Sequence, residues 1–171
     1  MTLNEQISAY NRSLDLLQGK NVRQNSKKAF ALNAQAAKEN YHDAILAMGW
    51  FYIRGIGVKE NSEKAKEWYR KSARQGEPKA MFSLGQIAYI EKNFSDSLTW
   101  FKRAVKTGHA RSLYYIGRQY WNGQGVDRDR KEAMRLFHLA ARKKVVEAVR
   151  LLKFFRSKKP SKFVASKKSS S

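Results

Sequence analysis

A fixed period runs through this chain and leaves few folds open to it. Gly49 is followed by Gly85 after 36 residues and by Gly117 after a further 32, and another 36 lead to Lys153. The same steps carry Trp68 to Trp100 to Leu136, Tyr69 to Phe101 to Phe137, and Ala65 to Ser97 to Ala133. Moving 36 residues towards the amino terminus takes Gly55 to Gly19, Val58 to Val22, Ala65 to Ala29, Ala73 to Ala37 and Ala80 to Ala44. Coincidences that keep one register mark copies of one supersecondary unit. A unit of this length cannot bury its apolar face alone, so the copies must stack.

The unit reads as a pair of helices. Leu3, Ile7, Tyr10, Leu14 and Leu17 recur at helical spacing over residues 3 to 18, and Gly19, Lys20 and Asn21 end that helix. An alanine-rich helix follows at about 26 to 39. Further pairs are expected at about 43 to 54 with 62 to 75, 79 to 91 with 95 to 107, and 111 to 122 with 130 to 143. A ninth helix, about 146 to 156, stands where a first helix would and has no partner after it, so it reads as a cap. Asn25, Asn61, Asn93 and Asp129 share one repeat position and are predicted N-caps, their side-chain oxygen accepting from a backbone N–H of the first turn. Asp129 with Glu132 has the spacing of a capping box. The predicted fold is all-α: an α-solenoid of about four antiparallel helix pairs plus a C-terminal capping helix. Residues 1 to 155 form one domain, with repeats at about 8–43, 44–79, 80–111 and 112–147 and a cap at 148–156.

The repeated pattern, A-x-x-x-L-G-x-x-Y-x-x-G-x-G-V, then Asn or Asp, then K-A-x-x-W-Y-x-x-A-A-x-x-G, resembles that of Sel1-like repeats, relatives of the tetratricopeptide repeat. It is nearly complete in residues 44–79 and 112–147. Residues 80–111 are shorter, with Ile90, Glu91, Lys92 and Asn93 where longer repeats have a Gly-x-Gly-Val loop. Residues 8–43 are degenerate, with Ser13 replacing the recurring glycine. The resemblance covers roughly residues 8 to 155 and speaks to fold more than to role, since one architecture hosts many functions.

The resemblance implies a right-handed α-solenoid in which the first helix of each pair lines a concave face and the second forms the outer wall. Gly49 with Tyr52, and Gly117 with Tyr120, would then face the partner helix. Positions three before, one after, four after and five after the glycine would point into the groove. They are Leu46, Trp50, Ile53 and Arg54, then Phe82, Gln86, Tyr89 and Ile90, then Tyr114, Arg118, Trp121 and Asn122. Tyr10 at one end, and Arg150 with Phe154 at the other, would extend the row. Aromatic and arginine side chains of this kind anchor protein interfaces. The competing expectation is that Trp50, Phe82, Tyr114 and Trp121 are core between repeats. Trp68, Tyr69, Trp100 and Phe101, on second helices, read as core.

Composition narrows the chemistry. A chain of 171 residues with 42% hydrophobic content can bury a core, and it has no apolar run long enough to span a membrane. The amino terminus lacks a basic start followed by an unbroken apolar region, so no signal peptide is read and a cytoplasmic location is expected. The lack of cysteine excludes disulfides and thiolate metal sites. His42 and His109 fall between repeats and His138 lies within a second helix, so no metal constellation and no cofactor are expected. No serine sits in a Gly-x-Ser-x-Gly elbow, and catalysis is not expected. The Gly-x-Gly-Val segments, Gly55 to Val58 and Gly123 to Val126, invite comparison with phosphate loops. No strand precedes them and no Gly-Lys-Ser or Gly-Lys-Thr closes them, so they read as structural turns.

Charge bears on partners. Thirty-five Lys and Arg against fourteen Asp and Glu give +21, which attracts acidic proteins or polyanions. Much of it lies on second helices, as at Lys64, Arg70 and Arg74, Lys102 and Lys106, or Arg135 and Arg142. From Arg156 the chain is rich in lysine and serine with no acid, the composition of a mobile basic tail over 157–171. The function expected is a non-enzymatic interaction module that grips a protein or peptide of acidic character, as an adaptor, scaffold or stoichiometric inhibitor. The resemblance adds a variant, an immunity protein that neutralises a bacterial toxin. The alternative is nonspecific nucleic-acid association through the outer face and tail. Oligomeric state is not legible.

Overall fold

The computed structural model describes residues 1–157; residues 158–171, which hold nearly all of the basic tail, lie outside the described residues. Among the described residues the chain forms nine helices and no strand. They are α1 (Leu3–Gln18), α2 (Ser26–Lys38), α3 (His42–Arg54), α4 (Ser62–Arg74), α5 (Pro78–Ile90), α6 (Phe94–Lys106), α7 (Arg111–Asn122), α8 (Arg130–Arg142) and α9 (Val146–Ser157). Packing is most extensive within the hairpins, α1 on α2, α3 on α4, α5 on α6 and α7 on α8, and next between the second helix of each hairpin and the helix that follows it. The result is an α-solenoid closed by α9.

The N-caps fall where the period places them. Asn25, Asn61, Asn93 and Asp129 accept from the backbone N–H of Lys28, Lys64, Asp96 and Glu132. The expected capping box at Asp129 does not close, because the Glu132 carboxylate is forked onto Arg135 at 2.7 Å from both Nε and Nη2. A complete box forms instead at the start of α1: Thr2 N–H donates to Glu5 Oε2 (2.7 Å), and Glu5 N–H to Thr2 Oγ1 (3.3 Å).

Three of the four hairpins close on the recurring glycine. A Cβ built on Gly49 would stand 2.5 Å from the Tyr69 ring, one on Gly85 2.6 Å from Phe101, and one on Gly117 2.6 Å from Phe137. The helix backbone therefore rests on an aromatic face, and no larger residue leaves room for that ring. The first hairpin solves the position differently, with Ser13 and Asn33 buried where the others have glycine and an aromatic. Asn33 Nδ2 donates to the Ala44 carbonyl at 3.0 Å. Tyr69 and Phe101 are buried as expected, whereas Trp68 and Trp100 are half-buried, with Lys71 Nζ 5.4 Å and Arg103 Cζ 4.4 Å from their ring centroids.

Two kinds of turn carry the chain between helices. Between repeats the backbone takes positive φ at Asn40 (64°), Gly76 (90°), Gly108 (95°) and Lys144 (61°), one equivalent position in all four copies. The next N–H reaches back five residues, from Tyr41 to Ala36, Glu77 to Ser72, His109 to Ala104 and Val145 to Ala140, the long bond of a Schellman motif. Within repeats, the second glycine of each Gly-x-Gly-Val loop abuts the outer helix of the preceding repeat. Gly57 meets the carbonyl of Ser26 at the start of α2, and a Cβ on Gly125 would lie 2.5 Å from the carbonyl carbon of Phe94 at the start of α6. Their φ values are 70° and 69°, so the loops serve repeat-to-repeat packing and their backbone approach is filled by the protein itself.

Two outcomes follow for stability. Gly85→Val forces the Phe101 ring aside and lowers the free energy of unfolding by about 1–3 kcal/mol, with part of the loss recovered in a Gly85→Val, Phe101→Leu double variant. Lys144→Gly relieves a left-handed lysine and raises stability by about 1 kcal/mol, while Lys143→Gly, next to it in ordinary backbone, lowers stability. Denaturant melts of the four variants check both.

Candidate partner-binding groove

The first helices, α1, α3, α5, α7 and α9, supply the groove residues, and two hollows form between them. In the amino-terminal hollow, of about 570 Å³, Tyr10, Leu14 and Leu17 of α1 face Leu46, Ala47 and Trp50 of α3, over a floor that includes Phe51 and Tyr69. Tyr69 comes from α4, and it gets there because Gly49 lets its ring pass beneath α3. Burial pushes the Tyr69 phenol above its usual pKa, against a smaller lowering by the Ser83 hydroxyl beside it. At the rim, Tyr10 tilts against Tyr41 at 5.4 Å, and Tyr41 donates to Asp43 Oδ2 at 3.3 Å. Burial first, and the Asp43 charge second, raise the pKa of both phenols, so they remain neutral donors. Trp50 packs edge-on to Phe51 and keeps 40% of its surface exposed.

The second hollow, of about 190 Å³, lies between α7 and α9, lined by Tyr114, Arg118, Trp121, Asn122, Leu151 and Phe155 above Phe137. Trp121 stacks on Phe155 (5.1 Å, 23°) and carries the Arg130 guanidinium 5.2 Å from its ring centre. Arg118 lies 5.5 Å from the Tyr89 centroid and 6.0 Å from those of Tyr114 and Tyr115. Gln86 Nε2 donates to the Tyr115 hydroxyl at 3.3 Å, and the Tyr89 hydroxyl donates to Gln124 Oε1 at 2.9 Å. Asn122 Nδ2 also reaches Gln124 Oε1, at 3.4 Å.

The row expected from the sequence is thus divided. Tyr10, Leu46 and Trp50 come together, as do Tyr114, Arg118, Trp121 and Asn122, with Gln86 and Tyr89 tied to the second group. Phe82 is not a groove residue: it is 7% exposed. His109, from the turn before α7, stacks on it at 4.3 Å, and Tyr115 covers it edge-on at 5.3 Å. Burial, with Arg111 and Lys79 adding to it, holds the His109 pKa below the usual imidazole value. Ile53 is half-buried against the main core. Arg54 and Ile90 are exposed at the ends of α3 and α5 and line neither hollow. Arg150 borders a separate hollow with Arg111, Val145 and Glu147, and Phe154 packs on Phe155 at 6.1 Å. Sequence reasoning missed Tyr115, Gln124 and Phe155. Tyr115 had a signal: Ala47 and Ser83 hold its position in the two preceding repeats, so an aromatic there departs from the pattern. Among the described residues no group of three or more His, Asp or Glu is placed to hold a metal, and no helix is long and apolar enough to cross a membrane.

Known proteins share this architecture. A crystal structure of a Sel1 repeat protein from Oxalobacter formigenes superposes with a TM-score of 0.77 at 29% identity, covering 86% of this chain and 62% of that one. A protective antigen present in uropathogenic Escherichia coli strains, displaying an SLR fold, gives 0.80 at 27% identity over 90% of this chain and 34% of its own. Among sequences, a putative sel1-like repeat-containing protein of Acanthamoeba polyphaga mimivirus is 32% identical over 73 residues, 43% of this chain. The ERAD-associated E3 ubiquitin-protein ligase component HRD3 of Candida glabrata is 28% identical over 118 residues, 64% of this chain. This chain spans only 14% and 13% of the length of those two sequence relatives. The Sel1 repeat model itself matches residues 7–41, 42–77, 78–109 and 110–145. With glycine seated on an aromatic ring in three hairpins and the family pattern matched four times over, this chain belongs to the Sel1 repeat family.

Proposed function

We propose that this chain is a non-enzymatic binding module that receives a segment of another protein on the inner face of its first helices, as an adaptor or a stoichiometric inhibitor. Sel1 repeats are protein-interaction modules, which supports the class of function. The observation that carries the site is Trp50. A tryptophan 40% exposed at the rim of an apolar hollow of about 570 Å³, with Leu46 beside it and Tyr10 opposite, has the anatomy of an interface anchor beside the pocket it helps to form. The net charge of +21 favours a partner of acidic character, chiefly through faster encounter. An immunity protein that blocks a toxin is one form such an inhibitor takes.

A second reading has its own observation. Lys38, Arg74, Lys106 and Arg142 occupy one repeat position, all in the last turn of an outer helix and all exposed. None makes an ion pair among the described residues. A ladder of unpaired cations crossing the repeats suits the backbone of a nucleic acid, held by counterion release without base readout.

Capture of binding partners at low and high salt separates the two. On the groove reading, Trp50→Ala weakens the captured protein by more than about 2 kcal/mol, and a variant with Lys106→Gln and Arg142→Gln binds nearly as well. Nucleic acid that is captured only at low salt and released by the two glutamine substitutions, with Trp50→Ala without effect, would falsify the groove as the main site.

A further inference from the structure

We infer that Arg118 is the receptor for a free carboxylate: the groove binds the C-terminal end of its partner, with the last side chain, an apolar one, seated in the hollow between α7 and α9. The inference rests on the groove reading and names the chemistry of one end of it.

Arg118 stands apart from the other arginines. Among the described residues it is the one arginine that is half-buried, the others being exposed. Yet the carboxylates go elsewhere: Glu147 pairs with Arg111, and Glu132 with Arg135, both arginines exposed. Arg118 makes no ion pair or hydrogen bond among the described residues, and its surroundings are the Tyr89, Tyr114 and Tyr115 rings. Ring quadrupoles offset part of the cost of withdrawing a cation from water, but they satisfy none of its five N–H donors. The neighbours add donors too. The Tyr115 hydroxyl accepts from Gln86, which leaves its own proton uncommitted. The Gln124 carbonyl oxygen nearby already accepts from Tyr89 and Asn122. The hollow is thus lined by a planar cationic fork and by Tyr114, whose hydroxyl makes no hydrogen bond among the described residues, and no acidic residue lines it. What matches it is a two-oxygen acceptor bound through paired N–H bonds.

The wall beside the fork selects the kind of anion. Trp121 lies one helical turn from Arg118 on α7, which puts their Cβ atoms about 5–6 Å apart. That is close to the reach from an α-carboxylate to the end of its own side chain. With Leu151 and Phe155 it encloses a space of about 190 Å³, enough for one apolar side chain. A nucleotide fits less well, because the Trp121 ring already stacks on Phe155 and carries Arg130, which leaves it poorly placed to stack a base.

The test titrates the full chain, watched by the indole N–H resonances, with acetyl-alanyl-alanyl-alanyl-leucine as free acid and as C-terminal amide. A third peptide, acetyl-alanyl-aspartyl-leucyl-alanine amide, offers the carboxylate on an internal side chain. The free acid is expected to move the Trp121 resonance and to bind at least about tenfold more tightly than the amide, the size of one hydrogen-bonded charge contact. Arg118→Gln abolishes that preference and Arg118→Lys keeps part of it. Arg74→Gln, an equal change in charge on the outer wall, leaves it intact and so excludes general attraction of anions. Circular dichroism melts confirm that the variants fold; if Arg118→Gln does not, the Arg118→Lys variant and the acid-to-amide ratio of the natural chain decide. Equal binding of acid and amide, or no binding of either, overturns the assignment. An aspartyl peptide that binds as tightly as the free acid overturns the C-terminal choice. Should the acid preference be absent while Trp50→Ala still abolishes partner capture, the groove stands and only its carboxylate anchor falls.

Discussion

The nearness of the two helices in each hairpin decides what reaches the inner face, and that nearness is set where glycine rests on an aromatic ring. With no Cβ at Gly49, Gly85 or Gly117, the rings of Tyr69, Phe101 and Phe137 lie flush against the first helix. The contact is more than packing. Because Tyr69 passes beneath α3, a side chain of the outer helix forms part of the floor of the hollow, and the shape of that hollow is coupled to hairpin closure. A substitution that pries one hairpin apart therefore alters the adjoining hollow as well as the core.

The other contacts propagate this unit along the chain with little long-range bookkeeping. Helices touch mainly their neighbours in sequence, and the same left-handed turn is used between all repeats, whatever residue has to adopt it. Such a stack is held by nearest-neighbour interfaces, so one copy can deviate from the pattern without upsetting the others. The first repeat shows it. Ser13 and Asn33 take the place of glycine and ring, and both Ser13 Oγ and Asn33 Oδ1 are buried without a hydrogen-bond partner. Buried polar atoms of this kind cost stability, and Ser72 of α4 and Gln119 of α7 each hold one more.

Helix boundaries were legible because each has a local chemical cause: an Asn or Asp that caps, a glycine or asparagine that turns. The hairpin contact was legible because glycine and aromatic recur in register. Which face a side chain shows was less so, because the period fixes the direction of a residue from its helix axis but not what the next repeat lays over it. Phe82 points as Leu46 and Tyr114 do, yet it is covered by His109 and Tyr115, residues the pattern leaves variable. Trp68 and Trp100 err in the opposite sense: their period is that of core, but they sit at the margin of the outer wall, where lysine and arginine stems complete their cover. The missing box at Asp129 has the same origin, a competing partner, Arg135, three residues beyond Glu132.

The charge pattern separates two surfaces that a bare net charge would merge. Acidic residues gather in the first turns of outer helices, at Glu63, Asp96 and Glu132, and basic residues in their last turns, as the helix dipole favours. That arrangement places cations on the turns between repeats and towards the outer wall, in water, where salt screens them. The inner hollows hold few charges, chiefly Asp43, exposed at the rim of one, and Arg118, half-buried among aromatic rings at the other. A single charge in a poorly hydrated site discriminates between ligands more strongly than many charges in solvent, because its unmet bonds cannot be made up by water. On the proposed reading, selectivity therefore belongs to the hollows, and the outer cations govern how fast a partner arrives.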